Sequence, residues 1–242
     1  MCYLAFPELV KDVFLNMDEK QGILRKILSI EWDMFISVNE GGEQADCQED
    51  SVTFEGMRTA QFIAWSPEAA ASYLEDLEKA QECGRNLVEE KYINMMKTTE
   101  PSRYSALLSR VTIPSDTVYS AASEISEILL QQACVLFENY PHVSGHGRPL
   151  YSALDYVNIS IETYQFCELL TYSAKTLAEL KKHVAKLEKD GVSLAKLILE
   201  NTVRFYGYES LEIAEKTIRE RNDELGIEIS LGCRPCEEPT YE

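Results

Sequence analysis

A carboxylate set in an apolar stripe is the first place in this chain where chemistry could sit. In a helix, Leu24, Leu28, Glu31, Phe35 and Val38 share one face, so Glu31 is inserted between Leu28 and Phe35 on the side that should meet the core. A lone buried charge is penalised heavily, and such a group must be paired, hydrogen-bonded, metal-bound or neutral. Arg58, on the next helix, is the natural partner for a structural ion pair. The alternative roles for Glu31 are metal ligand or general base, with Arg58, Gln61 and Trp32 orienting a small polar molecule in a pocket between helices.

A second acidic set lies in "SALDYVNISIETYQFCELLTY". Read as helix, Asp155, Ile159, Glu162 and Phe166 share a face, and Glu168 falls between Tyr164 and Tyr172 at four residues either side. Aromatic flanks would desolvate Glu168 and suit it to general-acid work. The plainer alternative is a partly buried helix whose tyrosines hydrogen-bond the carboxylates. Glu31, Glu162 and Glu168 are therefore the candidate catalytic residues.

These acids do not spell a conventional di-iron or di-manganese centre, which in a bundle needs two Glu-x-x-His pairs. No such pair occurs; Glu138 with His142 and Glu179 with His183 have spacing four, and the chain has only three histidines. Mg²⁺ or Mn²⁺ held by carboxylates and water is the cofactor such residues would suit. His142 and His146, with Arg148, sit in "YPHVSGHGRP", where they could bind an anion or act as acid and base. Two histidines near a glycine are also a common exposed accident. With Asp155 and Gln48 these complete the candidate binding set.

Cys47 is a poor nucleophile, because a reactive thiolate wants a cation, a histidine or a helix N-terminus, and its neighbours are Asp46, Gln48, Glu49 and Asp50. It enters the set as a binding residue only. "NEGGEQ" lacks the lysine and hydroxyl of a phosphate loop. Cys233 and Cys236 have the spacing of a zinc half-site or redox pair, but no second Cys-x-x-Cys exists, and a redox reading needs a βαβ setting.

Helices must position all of these residues. The hydrophobic period is helical almost throughout. It predicts an all-α, single compact bundle of about seven to nine helices over residues 1–226, with an irregular tail over 227–242. A helix from Asp18 to Asn39 should stop at Gly41-Gly42, and a second should fit Ser51–Trp65. Ser66-Pro67-Glu68 reads as an N-cap, a proline at the first helical position and a first-turn acid. A long helix should follow to about Thr98, with Leu87, Lys91 and Met95 keeping the period. Gly191, Gly207 and Gly226 should close later helices. "YPHVSGHGRP" reads as a loop, and "LDYVNISIETYQ" as helix despite a brief alternation at Val157, Ile159 and Ile161.

The formal charge of −18, from 41 acidic and 23 basic residues, makes the average surface repel phosphate backbones and anionic membranes. Nucleic acid and membrane are excluded as expected partners, and a small polar molecule is kept. No run reaches the roughly 18 apolar residues of a membrane span. The start, "MCYLAFPELVKDVF", lacks a basic n-region, which with seven cysteines points to a cytoplasmic, reduced protein.

The spaced pattern Glu31-Trp32, Met34-Phe35, Asn39, Gly41-Gly42, Ala45, Cys47-Gln48, Thr53-Phe54, Met57-Arg58, Gln61-Phe62 and Trp65 resembles a bacterial family classed as a domain of unknown function. "YSALLSRVTIPS", "RPLYSALD", "ELLTYSAKTL" and "TVRFYGYESLEIAE" extend the resemblance from about Leu24 to Glu215. The resemblance implies that Trp32, Cys47-Gln48, Arg58 and Gln61 belong to one assembly, and it assigns no activity. Three readings follow: a small-molecule enzyme using buried carboxylates; a non-catalytic metabolite-binding or regulatory protein; or a junction in which these residues only lock the first two helices, Gln48 capping backbone groups.

Overall fold

The computed structural model describes residues 18–38, 48, 50–156, 158–227 and 229. All regular elements among them are helical, as the sequence period predicts, but they number eleven α-helices and two short 3-10 turns rather than seven to nine helices. In chain order the helices are α1 (Asp18–Ile36), α2 (Ser51–Ile63), α3 (Pro67–Glu82), α4 (Leu87–Thr99), α5 (Pro101–Leu107), α6 (Asp116–Asn139), α7 (Pro141–Ser144), α8 (Ile161–Leu169), α9 (Ala174–Lys189), α10 (Leu194–Phe205) and α11 (Leu211–Leu225). None of the described helices is long and apolar enough to cross a membrane. Gly41, Gly42, Cys47, Cys233 and Cys236 lie outside the described residues.

The additional helices arise where local stops interrupt a continuous apolar period. The expected long helix from Pro67 to Thr98 breaks between α3 and α4, because Gly84 has φ +67 and lets Arg85 N–H reach back to the Ala80 carbonyl at 2.8 Å. Asn86 then restarts the helix, its side chain accepting from Glu89 N–H at 2.9 Å. The stretch from Glu162 to Lys189 divides at Ser173, whose hydroxyl accepts from Thr176 N–H at 3.2 Å and begins α9. Pro141 likewise opens the one-turn α7 inside what reads as loop.

Asp155, Tyr156, Asn158 and Ile159 are not helical, which corrects the expected face joining Asp155 to Glu162. Asp155 instead accepts from Ser160 N–H at 2.8 Å, and Ser160 is the N-cap of α8. Local side-chain hydrogen bonds have displaced the helical ladder there. The Ser66-Pro67 start and the stops at Gly191, Gly207 and Gly226 occur where the sequence places them.

The helices fall into two compact units: the described residues up to Glu89 with Tyr172–Ser210, and Glu90–Thr171 with those from Leu211 onward. In the first unit α1 packs on α2 and α3, α9 on α3, and α10 on α2. Its centre is aromatic: Tyr73 stacks on Phe62 at 5.3 Å between centroids and meets Tyr172 at 4.7 Å and Trp65 at 5.9 Å. In the second unit α6 packs on α7 and α8, and α11 on α7, around Ala133, Phe137 and Leu150.

α10 approaches α2 so closely that Gly56 is required. A β-carbon there would stand 2.0 Å from the Phe205 ring. Gly56→Ala should therefore lower stability by about 1–3 kcal/mol through overpacking, outweighing the ~1 kcal/mol that alanine gains in helix propensity. Urea unfolding checks this; a stabilised Gly56→Ala protein would contradict it.

Candidate functional site

In the first unit the buried face of α1 runs through Leu24, Ile27, Glu31, Met34 and Phe35, with Val38 buried just past its end, and Glu31 is 1% exposed. Leu28, expected on that face, is only half-buried. Arg58 grips Glu31 in a fork: Nε donates to Oε2 at 2.7 Å, and Nη2 donates to Oε1. Tyr73 OH donates to the same Oε1 at 2.6 Å. Arg58 Nη1 donates to Gln61 Oε1 at 2.8 Å, and its guanidinium lies 4.7 Å from the centre of the Phe62 ring. Glu31, Arg58 and Gln61 thus meet as expected, in a closed cluster where each carboxylate oxygen has a strong donor.

Gln48 does not join this cluster. Its Nε2 donates to the carbonyls of Phe35 and Val38, at 2.8 and 3.1 Å, and so caps the end of α1. Trp32 turns to another face, packing against Phe54 and Phe35 with centroids at 5.2 and 6.0 Å. Beside it a groove of about 250 Å³ is lined by Arg25, Leu28, Ser29, Trp32, Ser51, Phe54 and Glu55.

The C-terminal end of α2 carries a cation that sequence reasoning missed. Lys20, 9% exposed, donates to the carbonyls of Ile63 and Trp65, and His183 Nε2 donates to the Ala64 carbonyl between them at 2.8 Å. The Lys20 ammonium suits the negative end of a helix. Burial pushes the Lys20 ammonium below its usual range, and the charge of Glu68 opposes that shift.

In the second unit Glu168 is 6% exposed, and its partner is Lys91, itself 5% exposed. Lys91 Nζ lies 3.2 Å from Glu168 Oε2 and donates to Tyr164 OH at 2.9 Å. The expected protonated acid between two tyrosines is instead half of an ion pair. The missed signal was Lys91 falling in the stripe of Leu87 and Met95, the same pattern that drew attention to Glu31.

The remaining candidates serve backbone groups or one another. Glu162 Oε2 accepts from Ser152 N–H at 2.7 Å. Asp155 also accepts from Thr163 OH at 2.6 Å. Arg148 donates to the Ile159 carbonyl at 3.1 Å and lies 4.5 Å from the Tyr164 ring centre. His142 and His146 both reach Asn222, at 3.2 and 3.0 Å. Burial, helped by the charge of Asp155, pushes the Cys167 thiol up to about 12, so it is unreactive near neutral pH. Among the described residues no group of three or more His, Cys, Asp and Glu could hold a metal ion.

The family described as a protein of unknown function, DUF4125, matches residues 21–216. This chain belongs to that family. No curated protein and no solved structure matches it. The DUF4125 match runs from α1 into α11 and takes in the Glu31–Arg58 and Lys91–Glu168 pairs, the Trp32 groove, and both His142 and His146. Asn222 lies beyond it.

Proposed function

We propose that this DUF4125 protein is a non-catalytic binding protein that takes a small, flat, partly polar molecule in the groove between α1 and α2. The observation that carries this reading is the contrast between the buried carboxylates and the groove. Glu31 and Glu168 are each committed to a cation and to closed packing, whereas the half-buried Trp32 and Phe54 present aromatic surface with Arg25, Glu55 and two serines around it. A volume of about 250 Å³ falls below the roughly 300–1,000 Å³ of clefts for drug-sized ligands, which favours a metabolite-sized guest. An aromatic floor with a charged rim suits stacking plus hydrogen bonds at the ligand's edge. On this reading Glu31, Arg58, Gln61 and Gln48 hold the α1–α2 junction rigid beneath the groove.

The chain has two tryptophans, and Trp65 is only 4% exposed, so quenching by a soluble ligand reports on Trp32. A fluorescence screen of nucleobases, nucleosides and aromatic carboxylic acids should find a saturable quencher. Trp32→Ala or Phe54→Ala should weaken its binding at least tenfold, as loss of one stacking contact of about 1–3 kcal/mol requires. A quencher insensitive to both substitutions would sink the proposal. The catalytic reading predicts instead turnover that is lost in Glu162→Gln while binding persists.

A further inference from the structure

We propose that His142, Asn222 and His146 form a proton-gated latch that fastens the C-terminal turn of α11 to α7. Asn222 is 1% exposed and lies in the last turn of α11, where its carbonyl also accepts from Ile227 N–H at 2.9 Å. Its amide bridges the two histidines: Nδ2 meets His142 Nδ1 at 3.2 Å, and Oδ1 meets His146 Nε2 at 3.0 Å.

The latch follows from counting donors. An asparagine amide offers one NH₂ and one oxygen, whereas a protonated imidazole is a donor at both nitrogens. In the observed arrangement Asn222 Nδ2–H donates to His142 Nδ1, so that nitrogen carries a lone pair and the His142 proton is on Nε2. His146 Nε2–H then donates to Asn222 Oδ1. If the amide turns over, the roles exchange, but one ring must still accept. A single added proton can therefore be accommodated by reversing the amide. Two protons cannot, because the buried NH₂ would then face an N–H.

The charged groups at this corner come from both helices that pack on α7. From α11, Glu215 accepts the backbone N–H groups of His142 and Val143 at 3.0 and 2.8 Å, and Glu212 accepts from Tyr140 OH at 2.9 Å. From α6, the exposed Glu138 lies four residues before His142 in the chain, on the far side of the break at Tyr140. Glu215 and Glu212 hold the first two turns of α11 whatever the histidines do. The second proton therefore frees the C-terminal turn of α11, from Asn222 to Ile227, rather than the whole helix. His146 is exposed, so it can exchange the buried amide for water when the latch opens.

Long-range ¹H–¹⁵N correlation spectra of the three imidazoles test this directly, with His183 of the other unit as the internal reference. At pH 8 one of the two nitrogens facing Asn222 should lack a proton. As the pH is lowered, the two nitrogens facing Asn222 should come to carry protons in a first and then a second step. Hydrogen-exchange protection of the amides from Asn222 to Ile227, corrected for intrinsic rate, should fall about tenfold with the second step, as loss of one hydrogen bond requires. Asn222→Asp supplies an acceptor to both rings and should keep that protection at pH 5. His146→Ala, at an exposed position, leaves one ring for the amide to satisfy and should also abolish the fall. Protons on both Asn222-facing nitrogens at pH 8, or protection that falls equally in the native, Asn222→Asp and His146→Ala proteins, would overturn the latch, as would protection that does not change with pH.

Discussion

Glu31→Ala is expected to cost about 3–5 kcal/mol of stability, because it leaves the Arg58 guanidinium buried without its carboxylate and the Tyr73 hydroxyl without its acceptor. That is a large share of the roughly 5–15 kcal/mol that holds a typical domain together. At about 2–4 °C per kcal/mol for a protein of this size, the melting temperature should drop on the order of 10 °C. The cost comes from the stranded partner rather than from loss of a strongly favourable pair. Replacing the whole polar set should therefore recover most of the stability. The triple variant Glu31→Leu, Arg58→Met, Tyr73→Phe should return to within about 2 kcal/mol of the native protein. Urea unfolding of both variants checks the point. A triple variant as unstable as Glu31→Ala would mean that the cluster supports the unit in a way ion pairing does not describe.

Lys91→Met is expected to be comparably severe at neutral pH and to gain stability as the pH falls. The substitution leaves Glu168, 6% exposed, without the ammonium that lies 3.2 Å away. Burial without a counter-charge raises a carboxyl's affinity for its proton. In the variant the folded state then binds a proton that the unfolded chain does not hold at neutral pH, so its stability rises as pH falls from 7.5 towards 5. The expected loss is about 3–5 kcal/mol at pH 7.5 and distinctly less at pH 5.5. Lys91→Met with Glu168→Gln should be more stable at pH 7.5 than Lys91→Met alone and should lack its pH slope. Unfolding free energies of the two variants at both pH values decide it; equal slopes would show that Glu168 is not the stranded group.

The two charge clusters differ in how far the sequence exposes them, for a reason found in particular residues. Glu31 and Arg58 lie on consecutive helices, so chain order alone matches an inward carboxylate with the first basic residue across the turn. Lys91 and Glu168 are 77 positions apart. Each is visible as a charge in an apolar stripe, but their pairing depends on which helices pack together. Tyr73 and Asn222 gave less warning still. A tyrosine in a stripe is ordinary core, and an asparagine near a helix end is an ordinary polar residue until its neighbours are known.

What the sequence determined by itself is what depends on residues close together in the chain. The helical class follows from the 3.6-residue period, the start at Ser66-Pro67 from a cap and a fixed φ, and the stops at Gly191, Gly207 and Gly226 from tolerance of positive φ. Even the breaks that raised the helix count were written locally, at Gly84 and Ser173, although a continuous apolar stripe hid them. Tertiary structure alone decided that Lys91 was the cation Glu168 met, that Trp32 faced a groove while Glu31 was sealed, and that two histidines shared one asparagine. Each outcome rests on how separate helices pack, and a buried polar group constrains only that a partner must exist, leaving packing to choose it.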